Sequence, residues 1–401
     1  MSLSHGRPYL AIPGPSVIPD RVLAAMMRPA PNIYSGPLTE MMEGLVADLR
    51  TVARTAGHVA IYIANGHGVW EAALANTCTR GDRLLVLAAG SFGHGWAEVA
   101  ARMGLSAEVI DAPRGRTHDL AELAGRLADD TSHAIHAVLV THVDTATSVK
   151  TDVAAVRAAL DAAGHPALLM TDCIASLACD RFEMDAWGVD VMIAASQKGL
   201  MCPPGLGLVY FNDRADTARE TAGLVTQYWD WRPRARPSRF YEYFGGTAPT
   251  HHLFALHEAL DMLLKEEGLE AAWARHARLA RAVWAACEAW GAGEGALRLT
   301  VADPAARSHA VTSLSLPSPN GTALRDWLEH EAGVTLGIGL GMADPGDPAW
   351  HGFFRIAHMG HVNAHMVLGA LGAMEAGMQA LGIPHGLGAV SAAARVVAGR
   401  D

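Results

Sequence analysis

Lys198 and Asp172 are the residues of this chain best suited to do chemistry. Lys198 follows the apolar run VDVMIAAS, in the stretch AASQKGLMCPPGLGLVYF. Asp172 closes another apolar run, HPALLMTD, 26 residues earlier. A lysine amine can form an imine with an aldehyde. A carboxylate beside it can keep a ring nitrogen protonated, so that the ring accepts electrons from a substrate carbanion. These are the two side chains that pyridoxal 5'-phosphate needs. One such pair is weak evidence by itself, and its weight depends on what accompanies it.

Several other segments could complete the site. Asn65-Gly66-His67-Gly68 stands between a strand-like run and a helix-like run in AIYIANGHGVWEAALANT. Glycines there let the backbone approach an anion, and the first N–H groups of the helix face it. The segment lacks the full glycine spacing of a dinucleotide loop, and a plain tight turn would look the same. His67 could bond a phosphate or cap the helix. Phe92, in LAAGSFGHGW, could stack on a ring, with Trp96 as its competitor and the core as the commoner fate of either. Thr145 and Thr147, in THVDTATSV, are hydroxyls at a strand end, although isolated threonines more often cap loops. Arg355, in GFFRIAHMGHVN, is a cation inside an apolar run, where an unpaired charge is costly. Its guanidinium suits a carboxylate, and a structural ion pair is the alternative. The histidine pairs His358 and His361, or His251 and His252, lack partner ligands at zinc spacing, so no metal is expected.

The elements that must position these residues alternate. Apolar runs such as HVAIYIA, DRLLVLAAG, HAVLVTHV, ALLMTD, VDVMIAAS and LGLVYF are separated by Ala-rich helical stretches. That order predicts an α/β fold with a mostly parallel sheet in a large domain over 22–256. A linking helix is expected over 257–290, where apolar residues recur at three and four. A smaller α+β domain follows over 291–401, and residues 1–21 are expected to pack with it.

Bulk composition narrows the function classes. The chain has 401 residues, half of them apolar and 18% charged, which is ordinary for a globular enzyme. Its formal net charge of −10 gives no electrostatic support for nucleic-acid or anionic-membrane binding. Five cysteines form no CxxC pair, so buried free thiols in a reducing compartment are expected. No apolar run reaches the length of a membrane span and no signal-peptide core is visible, so the expected location is cytoplasmic.

Taken together, the motifs resemble those of the class V aminotransferases of fold type I, and among them the serine–glyoxylate and alanine–glyoxylate enzymes. The likeness runs through IPGPSVIP, NGHGVWEAALANT, GDRLLVLAAGSFG, HVDTATSV, the block from TDCIASLACD to SQKGLMCPPGLG, GVTLGIGLG and FFRIAHMGHVN. The resemblance implies ping-pong transamination between a small amino acid and a 2-oxo acid. It implies that Lys198 holds the cofactor and shuttles a proton, and that Asp172 pairs with the ring nitrogen. Ile174 would pack under the ring and Phe92 above it. Gly66, His67, Gly68 and Gln197 would surround the phosphate, and Thr145 would bond the ring hydroxyl. Arg355 would bind the substrate carboxylate. A homodimer with shared sites is also implied, Thr247 reaching the neighbour's phosphate. The sequence departs from the family in places. Tyr243-Phe244-Gly245-Gly246 stands where a tyrosine usually lies close before that threonine, and Asn32-Ile33-Tyr34-Ser35-Gly36 replaces a substrate-side segment. Tyr34 and Ser35 are therefore candidate substrate contacts. Aspartate–glyoxylate, pyridoxamine–pyruvate and aminophosphonate transamination are sister readings. A non-catalytic cofactor-binding protein is the rival.

Overall fold

The computed structural model of the chain describes residues 2–400. Among the described residues, twelve strands form two sheets: β1 (Tyr9–Ala11), β2 (His58–Ala64), β3 (Arg83–Ala88), β4 (Ser106–Asp111), β5 (Ile135–Thr141), β6 (Leu168–Asp172), β7 (Val191–Ala195), β8 (Gly205–Phe211), β9 (Arg298–Leu299), β10 (Val311–Ser315), β11 (Val334–Ile338) and β12 (Phe353–Ala357). The larger sheet has the order β2-β8-β7-β6-β5-β3-β4. From β7 to β4 all pairings are parallel, while β8 runs antiparallel to both of its neighbours. The fold is α/β, as the alternation of apolar runs and helices predicts.

Both faces of this sheet are buried, which explains why its strands read as unbroken apolar runs. Val138 and Val140 point into one core, whereas Ala137 and Leu139 point into another on the opposite face. The helices Gly66–Thr77 and Ser91–Arg102 cover the second face with Trp70, Leu74 and Trp96. The helices Met42–Ala53, Val153–Ala162 and Thr250–Leu260 cover the first.

The smaller sheet has the order β1-β11-β12-β10-β9, with β1 parallel to β11 and the other pairings antiparallel. Its core draws on the helices Leu269–Trp290, Ala364–Ala380 and Ala389–Val397. The stretch over 257–290 is not one continuous helix. The helix Thr250–Leu260 widens into an i→i+5 segment over Asp261–Glu267, and Gly268 breaks it at φ +87° before Leu269–Trp290 restarts. Arg275 locks the joint through a double ion pair to Glu267 and bonds to the carbonyls of Gly360 and Val362.

Four buried histidines make the fold acid-sensitive. Burial pushes His118, His142 and His358 down to about 4, and His276 to about 3. Below the ordinary value of 6.5 the unfolded chain takes up protons that the folded chain refuses. Their contribution is therefore full above that pH and is lost as pH falls, by about 1.4 kcal/mol per pH unit for each. The thermal midpoint should drop steeply between pH 6.5 and about 5, before the carboxylates titrate. A flat profile by calorimetry across that window would show that these side chains accept protons inside the fold.

Candidate active site

The C-terminal edge of the parallel strands gathers the candidate residues, where ligands bind in open α/β sheets. Asn65 follows β2, Thr145 lies in the loop after β5, Asp172 ends β6 and Lys198 lies three residues beyond β7. Together with the loop before the helix Ser91–Arg102 they enclose a cavity of about 280 Å³. Its walls include Gly66, His67, Phe92, Thr145, Asp172, Ile174, Gln197 and Lys198, all singled out in the sequence.

Lys198 is half-buried, and its Nζ donates to the Pro13 carbonyl. Burial, and next the Arg355 cation, push its amine down to about 8, against the opposing pull of Asp172. The segment at 13–16 is a strap across the lysine. The Ser16 amide donates to the Gln197 carbonyl at 2.9 Å, and Ser16 Oγ donates to the Lys198 carbonyl at 2.7 Å. Gly14 has φ +102°, and a Cβ there would collide with the lysine Nζ. No sequence signal ties residues this far apart.

Asp172 is buried, and both of its oxygens accept hydrogen bonds. Oδ1 accepts from the Ile174 amide at 2.7 Å and Oδ2 from the Trp70 indole at 2.8 Å. Burial raises its carboxyl to about 6, and the two N–H bonds hold it from rising further. Trp70 lines the cavity too, although the sequence did not single it out. It lies one helical turn beyond Gly66, so the spacing alone would have placed both on one face. Trp96 stacks on Trp70 at 6.3 Å, outside the cavity, so Phe92 and not Trp96 lines the site.

Asp144, also overlooked, holds the opposite wall. Its Oδ2 accepts from the amides of Phe92 and Gly93 at 2.9 and 3.3 Å, and its Oδ1 accepts from Ala146 at 2.9 Å. It thereby caps the helix Ser91–Arg102, whose own cap residue, Gly90, has no side chain. Next to it the Thr145 carbonyl accepts from Arg355 Nη1 at 2.8 Å, and Ile338 O accepts from Arg355 Nε at 2.7 Å. Arg355 is buried. Desolvation lowers it to about 10, and the Asp144 carboxylate opposes that shift. Thr147 serves its own loop, accepting from the Val149 amide at 3.4 Å.

The end of the cavity at Asn65 and Gly66 is framed largely by backbone. Asn65 Oδ1 accepts from the Gly68 amide at 3.2 Å and caps the helix Gly66–Thr77. The cap is therefore Asn65 and not His67, whose ring packs edge-on to Trp70 at 4.6 Å. A Cβ on Gly66 would lie 2.5 Å from Ile174 Cδ1, so glycine lets the two walls close. Gln197 Oε1 is buried there with no partner among the described residues, so it could accept from a bound group.

Six of the positions singled out in the sequence do not line this cavity, and the buried Arg355 is one of them. Gly68 is in the first turn, its amide used by the cap. Tyr34 is 87% exposed, and Ser35 and Thr247 are exposed too. Tyr243 is half-buried, its carbonyl accepting from the buried Arg234 at 3.3 Å.

The family model "Aminotransferase class-V" matches residues 9–352. The serine–glyoxylate aminotransferase of Methylorubrum extorquens is 37% identical over 379 residues, covering 92% of this chain and 90% of that protein. The L-aspartate–glyoxylate aminotransferase of Paracoccus denitrificans is 35% identical, covering 96% of this chain and 94% of that protein. Among solved structures, pyridoxamine–pyruvate aminotransferase from Mesorhizobium loti superposes with a TM-score of 0.88 at 25% identity, covering 100% of both chains.

Proposed function

The chain belongs to the class V aminotransferases, and on that premise we propose that it moves the amino group of serine or alanine to glyoxylate or pyruvate, with pyridoxal 5'-phosphate held at Lys198. Transamination itself follows from the family. The donor and acceptor are our reading, drawn from what the relatives act on.

One observation carries it: Lys198 and Asp172 line one cavity, at the separate ends of β7 and β6. The residues present fit the cofactor. Gly66 and the helix N-terminus leave room for a phosphate, Gln197 Oε1 lacks a donor, and Asp172 offers a buried carboxylate. When bound, pyridoxal phosphate supplies the aldehyde carbon that receives the amino group and the ring that accepts electrons.

The chain's own groups would do the rest. Lys198, with its amine near pH 8, can lose and regain a proton at Nζ under working conditions. Asp172 would hold a positive ring nitrogen, and Trp70 would keep that carboxylate turned toward it. Phe92 and Ile174 line the walls where a flat ring would fit. Arg355 spends Nε and Nη1 on carbonyls, leaving Nη2 for a substrate carboxylate. We read the working unit as a cytoplasmic homodimer of two-domain subunits. Tyr34, Ser35, Tyr243 and Thr247 would then act across the subunit boundary, which accords with their lying outside the cavity. No helix among the described residues is long and apolar enough to cross a membrane.

A second reading, with aspartate as donor or pyridoxamine as the substrate itself, is favoured by the likeness to the Paracoccus and Mesorhizobium proteins. A spectrum of the purified protein titrated with single amines separates the two. We expect the near-visible band to bleach with serine or alanine and to return with glyoxylate. Bleaching by aspartate alone, or turnover of pyridoxamine without a retained band, would move the assignment to the second reading. No response to any amine would sink both.

A further inference from the structure

We propose that Cys78, Asp82 and His136 form a binding site for a thiophilic divalent cation of the zinc class, at the far end of the helix whose first turn lines the catalytic cavity. One ligand atom from each residue lies within 4.8 Å of the others. The helix Gly66–Thr77 ends immediately before Cys78, so the cluster is separate from the site at Gly66.

The hydrogen bonds decide what this cluster wants. His136 Nε2 lies 2.7 Å from the Thr77 carbonyl. A carbonyl can only accept, so Nε2 carries the hydrogen and Nδ1 is the nitrogen left to ligate an ion. That nitrogen faces Asp82 Oδ2 at 4.0 Å. The imidazole nitrogen and the carboxylate oxygen thus face each other with a thiol beside them. A cation between them satisfies both. An imidazole whose other nitrogen donates to a backbone carbonyl is also the usual outer arrangement around a ligating histidine.

The ligands are braced by one turn of chain. The Thr79 amide donates to Asp82 Oδ2 at 2.7 Å, and Cys78 Sγ lies 3.4 Å from Thr77 Oγ1. A thiolate, an imidazole and a carboxylate suit zinc or cadmium, whereas magnesium and calcium want oxygen alone. Three protein ligands leave one tetrahedral position for water. Bond lengths of about 2.0–2.3 Å require ligand atoms closer together than 4.8 Å. Asp82 and His136 are half-buried and can close that distance by side-chain rotation. Cys78 is buried, and its thiol stays protonated without the ion. Binding replaces the S–H bond by a sulfur–metal bond and releases one proton to solvent. Thiolate and carboxylate then balance the double charge.

The test is a cadmium titration of the chelator-treated holoenzyme, followed by the ultraviolet thiolate–cadmium band. We expect saturation at one equivalent, with one proton released. Cys78→Ser should abolish the band. Asp82→Asn and His136→Gln, both at half-buried positions, should each weaken binding by about tenfold or more, since even outer partners of ligands are worth that much. The near-visible band and thermal midpoint report whether each variant is folded, so His136→Gln decides the matter if Cys78→Ser is not. Absence of the band at stoichiometric cadmium overturns the proposal. Persistence of the band in Cys78→Ser, or unchanged affinity in His136→Gln, overturns it equally.

Discussion

Lys198→Ala should lower turnover about 10⁴-fold, the upper end of what a positioned base contributes, because it removes the base together with the covalent anchor. No other lysine lines the cavity. In the proposed reaction the amine can act as a base because its surroundings make it partly neutral. Burial is the larger cause and the Arg355 cation the second, and together they bring it to about 8. The rising limb of the donor half-reaction should therefore lie near pH 8, well below the 10.5 of an exposed lysine. Lys198→Arg keeps a cation but cannot deprotonate, so it should be as inactive as the alanine variant. Borohydride reduction followed by peptide mapping gives an independent reading: the cofactor should be fixed on the peptide containing Lys198. More than about one per cent residual turnover in Lys198→Ala, or fixation elsewhere, would remove this residue from the reaction, given the size of effect a positioned base has.

What the sequence made legible has a physical pattern. Residues at strand ends could be found because a buried parallel strand is a short apolar run, and its end is where the run stops. Asp172, Lys198 and Thr145 were visible on that ground. Asn65-Gly66-His67-Gly68 was visible through glycine before a helix, although the choice of Asn65 as cap needs coordinates. Phe92 was separable from Trp96 only by geometry, because both lie on one helix and both are aromatic. The strap at 13–16 was invisible. It meets Lys198 through the Pro13 carbonyl, the Ser16 amide and the Ser16 hydroxyl, groups that any loop offers and that no spacing marks. Asp144 was invisible for a related reason: a carboxylate that caps a neighbouring helix resembles any loop aspartate. The break at Gly268 lay inside an unbroken three-four apolar pattern. A single glycine at φ +87° overrode it, and periodicity does not register backbone sign. Cys78 and Asp82 share one turn, but His136 is more than fifty residues away and meets them only through the pairing of β5 with β3.

Asp172→Asn tests the electron-accepting half of the site. The buried carboxylate favours a positive ring nitrogen by about 1–3 pKa units, the usual effect of an opposite charge a few ångströms away. Losing it should cost about 10–10³-fold in the donor half-reaction, one decade for each pKa unit. The amide keeps the size of the side chain and can still accept from Ile174, so the fold should persist. The pH dependence distinguishes a charge effect from a packing effect. In the empty protein the carboxyl titrates at about 6, raised mainly by burial. Only the ionised form pairs with a positive ring, so cofactor affinity should fall as pH drops through about 6. The phosphate also titrates near pH 6, but it does so identically in both proteins. The ratio of wild-type to Asp172→Asn affinity therefore isolates the carboxylate, and it should shrink toward one below that pH. Trp70→Phe removes one N–H donor from Asp172 Oδ2 while leaving the charge. That donor holds the carboxyl down, so its loss should move the same midpoint upward. If Asp172→Asn and wild type lose affinity in parallel across pH 6, the carboxylate is not the partner of the ring nitrogen. A midpoint unmoved by Trp70→Phe would confine Trp70 to packing.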